Sequence, residues 1–169
     1  MQMEIRQLHH HDAEAYFALR LEALQTNPEA FGSSYEEEKD YPLSQIQSRL
    51  TDPAYVFGAF LENNLIGVVT LVRETKQKMS HRANIYAVYV TPLHRGKGVA
   101  KQLLQAAIEH VHTLQGIEQL YLAVVSDNIS AKKLYRSFGF ETYGIDQKAI
   151  KVSGKYYDEE LMVRFLSYS

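Results

Sequence analysis

A chain of 169 residues, 46% hydrophobic and 22% charged, has the balance of one globular domain with enough apolar material for a sizeable core. Its net charge of −2 gives no support for a general nucleic-acid binder, and its lack of cysteine excludes disulfides, thiol nucleophiles and cysteine metal sites. No apolar run approaches the ~20 residues of a membrane span and no signal-peptide core opens the sequence, so a cytoplasmic protein away from membranes is the expectation.

In chain order, residues 3–8 alternate as a first strand. His9, His10 and His11 follow. Three adjacent residues cannot share one face of a helix or strand, so an exposed turn is favoured over a metal site, and no metal is expected. Asp12 is an N-cap candidate for a helix in which Ala13, Phe17, Leu21 and Leu24 recur at helical spacing. Residues 26–42 are turn-rich and hold two of the four prolines, and 43–50 suggest a short helix. Residues 55–61 and 65–72 are strands, joined as a hairpin by Glu62, Asn63 and Asn64. A third strand, 81–90, stops at Thr91-Pro92.

From Gly98 to His112 the apolar stripe Val99, Leu103, Leu104, Ala107, Ile108 and Val111 predicts a helix, with Gly116 just beyond it. Residues 119–125 read as a buried strand. A further helix has Ala131, Leu134, Tyr135 and Phe138 on one face and ends at Gly139, and 141–166 read as two strands around a turn at Ser153-Gly154. The order is β-α-α-β-β-β-α-β-α-β-β, a mixed α/β fold in one domain spanning 1–169. Strand 81–90, helix 98–112 and strand 119–125 form a βαβ unit whose two strands should be parallel.

The stretch HRGKGVAKQLL, residues 94–104, places two glycines where this helix begins. The first turn of a helix has unpaired N–H groups and the positive end of the macrodipole, which together suit an anion. Arg95 and Lys97 add charge. A plain strand-to-helix turn with solvated basic residues is the alternative. A P-loop is excluded because Val99 and Ala100 follow Gly98, and a Rossmann fingerprint because GKGVAK lacks the third glycine.

The stretch does match R-x-x-G-x-A, as Arg95, Gly98 and Ala100, and it resembles the GNAT superfamily of N-acetyltransferases. A second match follows in order and at the right distance: a strand, Asn128, then A-x-x-L-Y-x-x-x-G-F as Ala131, Leu134, Tyr135, Gly139 and Phe140. The resemblance is sharp over 83–140. It implies a central mixed sheet of about seven strands with about four helices, splayed between the strands at 81–90 and 119–125. It also implies acetyl-CoA as cosubstrate, its pyrophosphate on the backbone of Gly96, Lys97, Gly98, Val99, Ala100 and Lys101 beside Arg95. The pantetheine arm would lie along Val88, Tyr89 and Val90 as an added strand, with Asn128 near it. Tyr135 would protonate the leaving thiolate, although its place on the apolar stripe also suits a core residue.

The implied reaction is transfer of the acetyl group to a primary amine of a small molecule or peptide, by direct attack with both substrates bound. The base is not identified. Glu36, Glu37, Tyr86, His81 and Asp158 are candidates, with Glu36, Glu37 and Tyr86 placed near the acceptor, and a water chain is the alternative. The acidic run 36–40 could attract a cationic amine or be a solvated loop. A non-catalytic acyl-CoA-binding or sensor module on the same fold is the competing reading, and Tyr135 argues against it. No nucleic-acid partner is expected, and a homodimer stays open.

Overall fold

The computed structural model describes residues 2–166. Among the described residues seven strands form one sheet: β1 (Met3–Gln7), β2 (Ala54–Leu61), β3 (Asn64–Arg73), β4 (Arg82–Val90), β5 (Gln119–Val125), β6 (Glu141–Val152) and β7 (Lys155–Phe165), in the order β1-β2-β3-β4-β5-β7-β6. The β4–β5 pair is parallel and the other pairs are antiparallel. The β2–β3 turn is tighter than the sequence suggests. Glu62 and Asn63, with φ of 51° and 68°, make a two-residue connection, and Asn64 already belongs to β3.

The helices are α1 (Ala13–Thr26), α2 (Tyr35–Glu38), α3 (Leu43–Ser48), α4 (Val99–Val111) and α5 (Ile129–Ser137). α2 is one turn, hidden in the turn-rich segment. Its capping box is made by Ser34 and Glu37, each accepting from the other's backbone N–H at 3.2 and 3.0 Å. One core lies between the sheet and α4 with α5. The other lies between the opposite face and α1 with α3.

Two expectations about α1 change. Tyr16, Leu19 and Ala23 are buried with Ala13 and Leu24, whereas Phe17 and Leu21 are only half-buried. Asp12 stands at the N-cap but its carboxylate does not cap α1. It accepts from both terminal nitrogens of Arg6, at 3.0 and 2.9 Å, and from His9 N–H at 2.8 Å, and the Arg6 bonds hold its pKa down at about 2. His10 and His11 lie exposed in a short 3-10 turn beside it.

The connection between α1 and β2 is fixed by a buried ion cluster. Glu38, 1% exposed, accepts from Arg20 Nε and Nη2 at 3.1 and 2.9 Å and from Arg49 Nη1 at 2.9 Å, so α1, α2 and the C-cap of α3 share one carboxylate. Burial alone would push this carboxyl up. The hydrogen bonds and charge of the arginines outweigh it and bring the pKa to about 2, below its ordinary 4.5. Glu38→Gln leaves two arginines around a neutral amide, so we expect a loss of about 3–5 kcal/mol. A depressed pKa stabilises above the ordinary value and loses that contribution as pH falls through the folded one. The gap in thermal stability between wild type and variant should therefore be full above about pH 4.5 and shrink toward pH 2.

The sheet is open where the site forms. Parallel pairing between β4 and β5 covers only Arg82–Gln119, Ala83–Leu120 and Asn84–Tyr121, although both strands continue. The remaining residues, 85–90 and 122–125, diverge into a slot. A bulge in β4 accompanies the split. Ala87 and Val88 together oppose Val69, and Ala87 has φ of 53°. The extra residue inverts the alternation. Ala83 and Ile85 face α4 before it, whereas Val88 and Val90 do so after it, and Tyr89 turns to the α1 side.

Candidate active site

At one end of the slot, Gly96 and Gly98 both adopt left-handed backbone, with φ of 76° and 81°, and Gly98 is the N-cap of α4. That conformation is what glycine is needed for. A Cβ on either would meet no protein atom within 4 Å, so the space above the turn is open. The helix ladder begins with Gln102 N–H to Gly98 O at 3.1 Å, which leaves the amides of 99–101 without helical partners. The result is a cradle of free N–H groups at the positive end of α4, a geometry suited to an anion.

The slot itself is a cleft of about 490 Å³. One wall is the free edge of β4 at Val88–Val90. Thr91 N–H turns to β3, donating to Ile66 O at 2.9 Å. Strand alternation then turns the backbone groups of Val88 and Val90 toward the slot. The facing wall is α5, through Asn128, Ser130, Ala131, Leu134 and Tyr135. Asn128 is the N-cap of α5, its Oδ1 accepting from Ala131 N–H at 3.1 Å, and its side chain borders the cleft as well. The amide of Asn128 thus has both roles open to it.

Tyr135 is 8% exposed, packs edge-on to Phe140 at 6.2 Å between centroids, and lines the cleft. It belongs to the core and to the cleft wall at once. Burial pushes its phenol up to about 12, which keeps the hydroxyl protonated across the physiological range. A protonated phenol in a water-poor wall can donate a proton and cannot act as a base there.

The sequence-predicted residues separate into two groups. Val88, Tyr89, Val90, Arg95, Gly96, Gly98, Val99, Ala100, Lys101, Asn128 and Tyr135 all border the one cleft. Lys97 points into an adjoining recess with Met3 and Gln102. Tyr89 turns its side chain to the α1 side, where its hydroxyl donates to Glu22 Oε2 at 2.6 Å. None of the acceptor-side candidates lines the cleft. Glu36 pairs with Lys39 at 2.7 Å, Glu37 serves the α2 cap, and Asp158 accepts from Lys148 N–H at 2.8 Å. Tyr86, 52% exposed, sits in the middle of β4 but outside the cleft lining, and His81, just before β4, is about 30 Å along the strand from Val90. Replacing Glu36 and Glu37 by glutamine retains the capping box. The double variant is therefore expected to keep the acceptor KM and its dependence on ionic strength, which steady-state rates at low and high salt would check.

A family model described as Acetyltransferase (GNAT) family matches residues 8–140. The chain belongs to the GNAT acetyltransferase family. Among curated relatives of this GNAT protein, an L-amino acid N-acetyltransferase of Escherichia coli is 26% identical over 93% of the chain and 96% of its own. The spermidine N(1)-acetyltransferase of Vibrio cholerae is 31% identical over 60% of the chain, and the match spans 57% of that relative's length. A putative acetyltransferase from Salmonella typhimurium, solved with its cofactor acetyl-CoA, superposes with a TM-score of 0.85 at 20% identity, covering all of this chain and 96% of its own.

One wall of this GNAT cleft was not legible in the sequence. Asn27, Glu29, Ala30 and Phe31 border it. They form no motif, and Pro28 marks only a turn. Their place depends on how α1 docks against β4, and no local pattern encodes that.

Proposed function

We propose that the protein is an acetyl-CoA-dependent N-acetyltransferase that acetylates a primary amine of a small molecule or peptide by direct attack, with both substrates bound. The observation that carries this reading is the slot. β4 and β5 stop pairing at Asn84–Tyr121, with the α4 cradle at one end of the gap and the Tyr135 hydroxyl in its wall. The open space over Gly96 and Gly98 and the free edge of β4 fit a diphosphate and an extended amide-bearing arm. The names of the relatives, with spermidine in one and L-amino acids in another, support a small-molecule acceptor.

Acetyl-CoA supplies an activated acyl group as a thioester. The amides of 96–101 bind its diphosphate, and Lys101 adds positive charge. Val88 and Val90 hold the arm through backbone groups, as a sheet edge holds an added strand. The Val90 N–H faces the slot, where it can polarise an acyl oxygen. Removal of one such donor typically costs about 10²–10³ in rate. Tyr135 keeps a proton on its hydroxyl for the departing sulfur. None of the sequence-predicted base candidates lines the cleft, which leaves water or the bordering Glu29 and His94 as first acceptors of the amine's proton.

The test is release of free CoA from acetyl-CoA across a panel of polyamines, amino acids, aminoglycosides and peptides. We expect amine-dependent release with one class. Tight binding of acetyl-CoA with no amine accelerating release would instead make the protein a binding module.

A further inference from the structure

Arg95 stands at the phosphate turn, yet its guanidinium is engaged elsewhere. Nε donates to Val90 O at 2.8 Å, Nη2 donates to Asn27 Oδ1 at 2.7 Å, and the group lies 5.4 Å from the Tyr89 ring centroid. Asn27 begins the segment 27–31. Its N–H closes α1 on Ala23 O at 2.9 Å, and its carbonyl accepts from Ala30 N–H at 3.0 Å. Residues 28–30 pack against β5 and β6, so the segment crosses the open end of the β4–β5 split as a strap. The far end of the strap is fixed. Phe31 is buried, with Arg20 4.9 Å from its ring centroid, and Arg20 is locked by Glu38. At the near end, the side-chain tie to the phosphate turn is the Arg95–Asn27 bond.

The geometry points to a latch in which anion binding at the 96–101 turn draws Arg95 off Asn27 and releases the strap from the mouth of the slot. The inference rests on the reading of that turn as a diphosphate site. A diphosphate there sets negative oxygens beside residue 95, whereas Asn27 offers a neutral amide oxygen. With a diphosphate oxygen the guanidinium gains a full opposite charge and a bidentate grip, whereas Asn27 gives it one bond to a neutral oxygen, so it exchanges one partner for the other. Release also frees Val90 O, a slot-facing acceptor that an extended amide arm can use. The strap lies where an acceptor must approach the end of the split, so cofactor loading opens the way for the amine. Asn27 is a positioning residue that acts through Arg95.

Hydrogen exchange of the full chain, read on peptides covering 27–31, tests this with two probes: CoA, and ADP as a diphosphate without the arm. In wild type, either probe at saturation should speed exchange in the strap by about fivefold, the low end of usual couplings between linked sites. In Asn27→Ala the strap should exchange fast without ligand, and calorimetry should show CoA binding tightened by up to about the same factor, because no latch must open. A merely structural role for Asn27 would weaken CoA binding instead. Arg95→Lys, which leaves the α1 end intact and cannot bridge both oxygens, should also exchange fast without ligand. Unchanged or slower strap exchange in wild type, with CoA shown bound, overturns the latch and leaves the diphosphate site standing. Failure of wild type to bind either probe overturns both.

Discussion

Gly98→Glu is expected to abolish acetyl-CoA binding while leaving the fold in place. Gly98 has φ of 81°, so any side chain there adds strain of about 1 kcal/mol. A Cβ meets no protein atom within 4 Å, so nothing else in the chain has to move. A carboxylate beside the first turn of α4 is even favourable to the helix. It competes directly for the cradle that a diphosphate would fill. We expect affinity to fall by at least about 100-fold, or about 2.7 kcal/mol, by calorimetry, with a circular dichroism spectrum like that of wild type. Gly98→Ala is the control, because it carries the same backbone strain without the charge and should keep most of the affinity. A folded Gly98→Glu protein with wild-type affinity would place the diphosphate elsewhere.

The second large effect is expected from Tyr135→Phe. The ring keeps its edge-on contact with Phe140, so packing is preserved and stability should hold. What is lost is a proton at the slot. A general acid contributes roughly 10²–10⁴-fold, and the loss should fall on kcat with little change in acetyl-CoA affinity. The pH profile carries a second check. The phenol is raised to about 12, so in wild type Tyr135 should cause no alkaline fall in kcat up to about pH 10, the ordinary tyrosine value. An unchanged kcat in the variant, with chemistry shown to limit turnover, would return Tyr135 to a core role alone.

Much of the cleft at its glycine end was legible because it is local. Two glycines directly before an amphipathic stripe specify a turn and a helix start within a few residues, and the free backbone N–H groups that suit an anion belong to the same backbone that makes the turn. Asn128 and Tyr135 follow from a helix whose cap and apolar face can be counted. The acidic run 36–40 shows the limit of such reading. Four carboxylates in five positions look alike in sequence, yet one is buried between Arg20 and Arg49, another caps α2, and a third pairs with Lys39 at the surface. Arg20 lies eighteen residues away and Arg49 eleven, and no short pattern joins them to Glu38.

By itself the sequence determined the order of elements, the parallel βαβ unit, the glycine cradle and the residues along α4 and α5. Each depends on hydrophobic period, turn chemistry and helix capping over a handful of neighbours. The tertiary structure alone decided which face α1 buries, because apolar residues surround that helix and several faces could serve. It also decided where β4 leaves β5, what Arg95 holds, and that residues 27–31 cross the slot. These are contacts between segments far apart in the chain, chosen by which packing of two cores against one split sheet leaves the fewest buried groups unpaired.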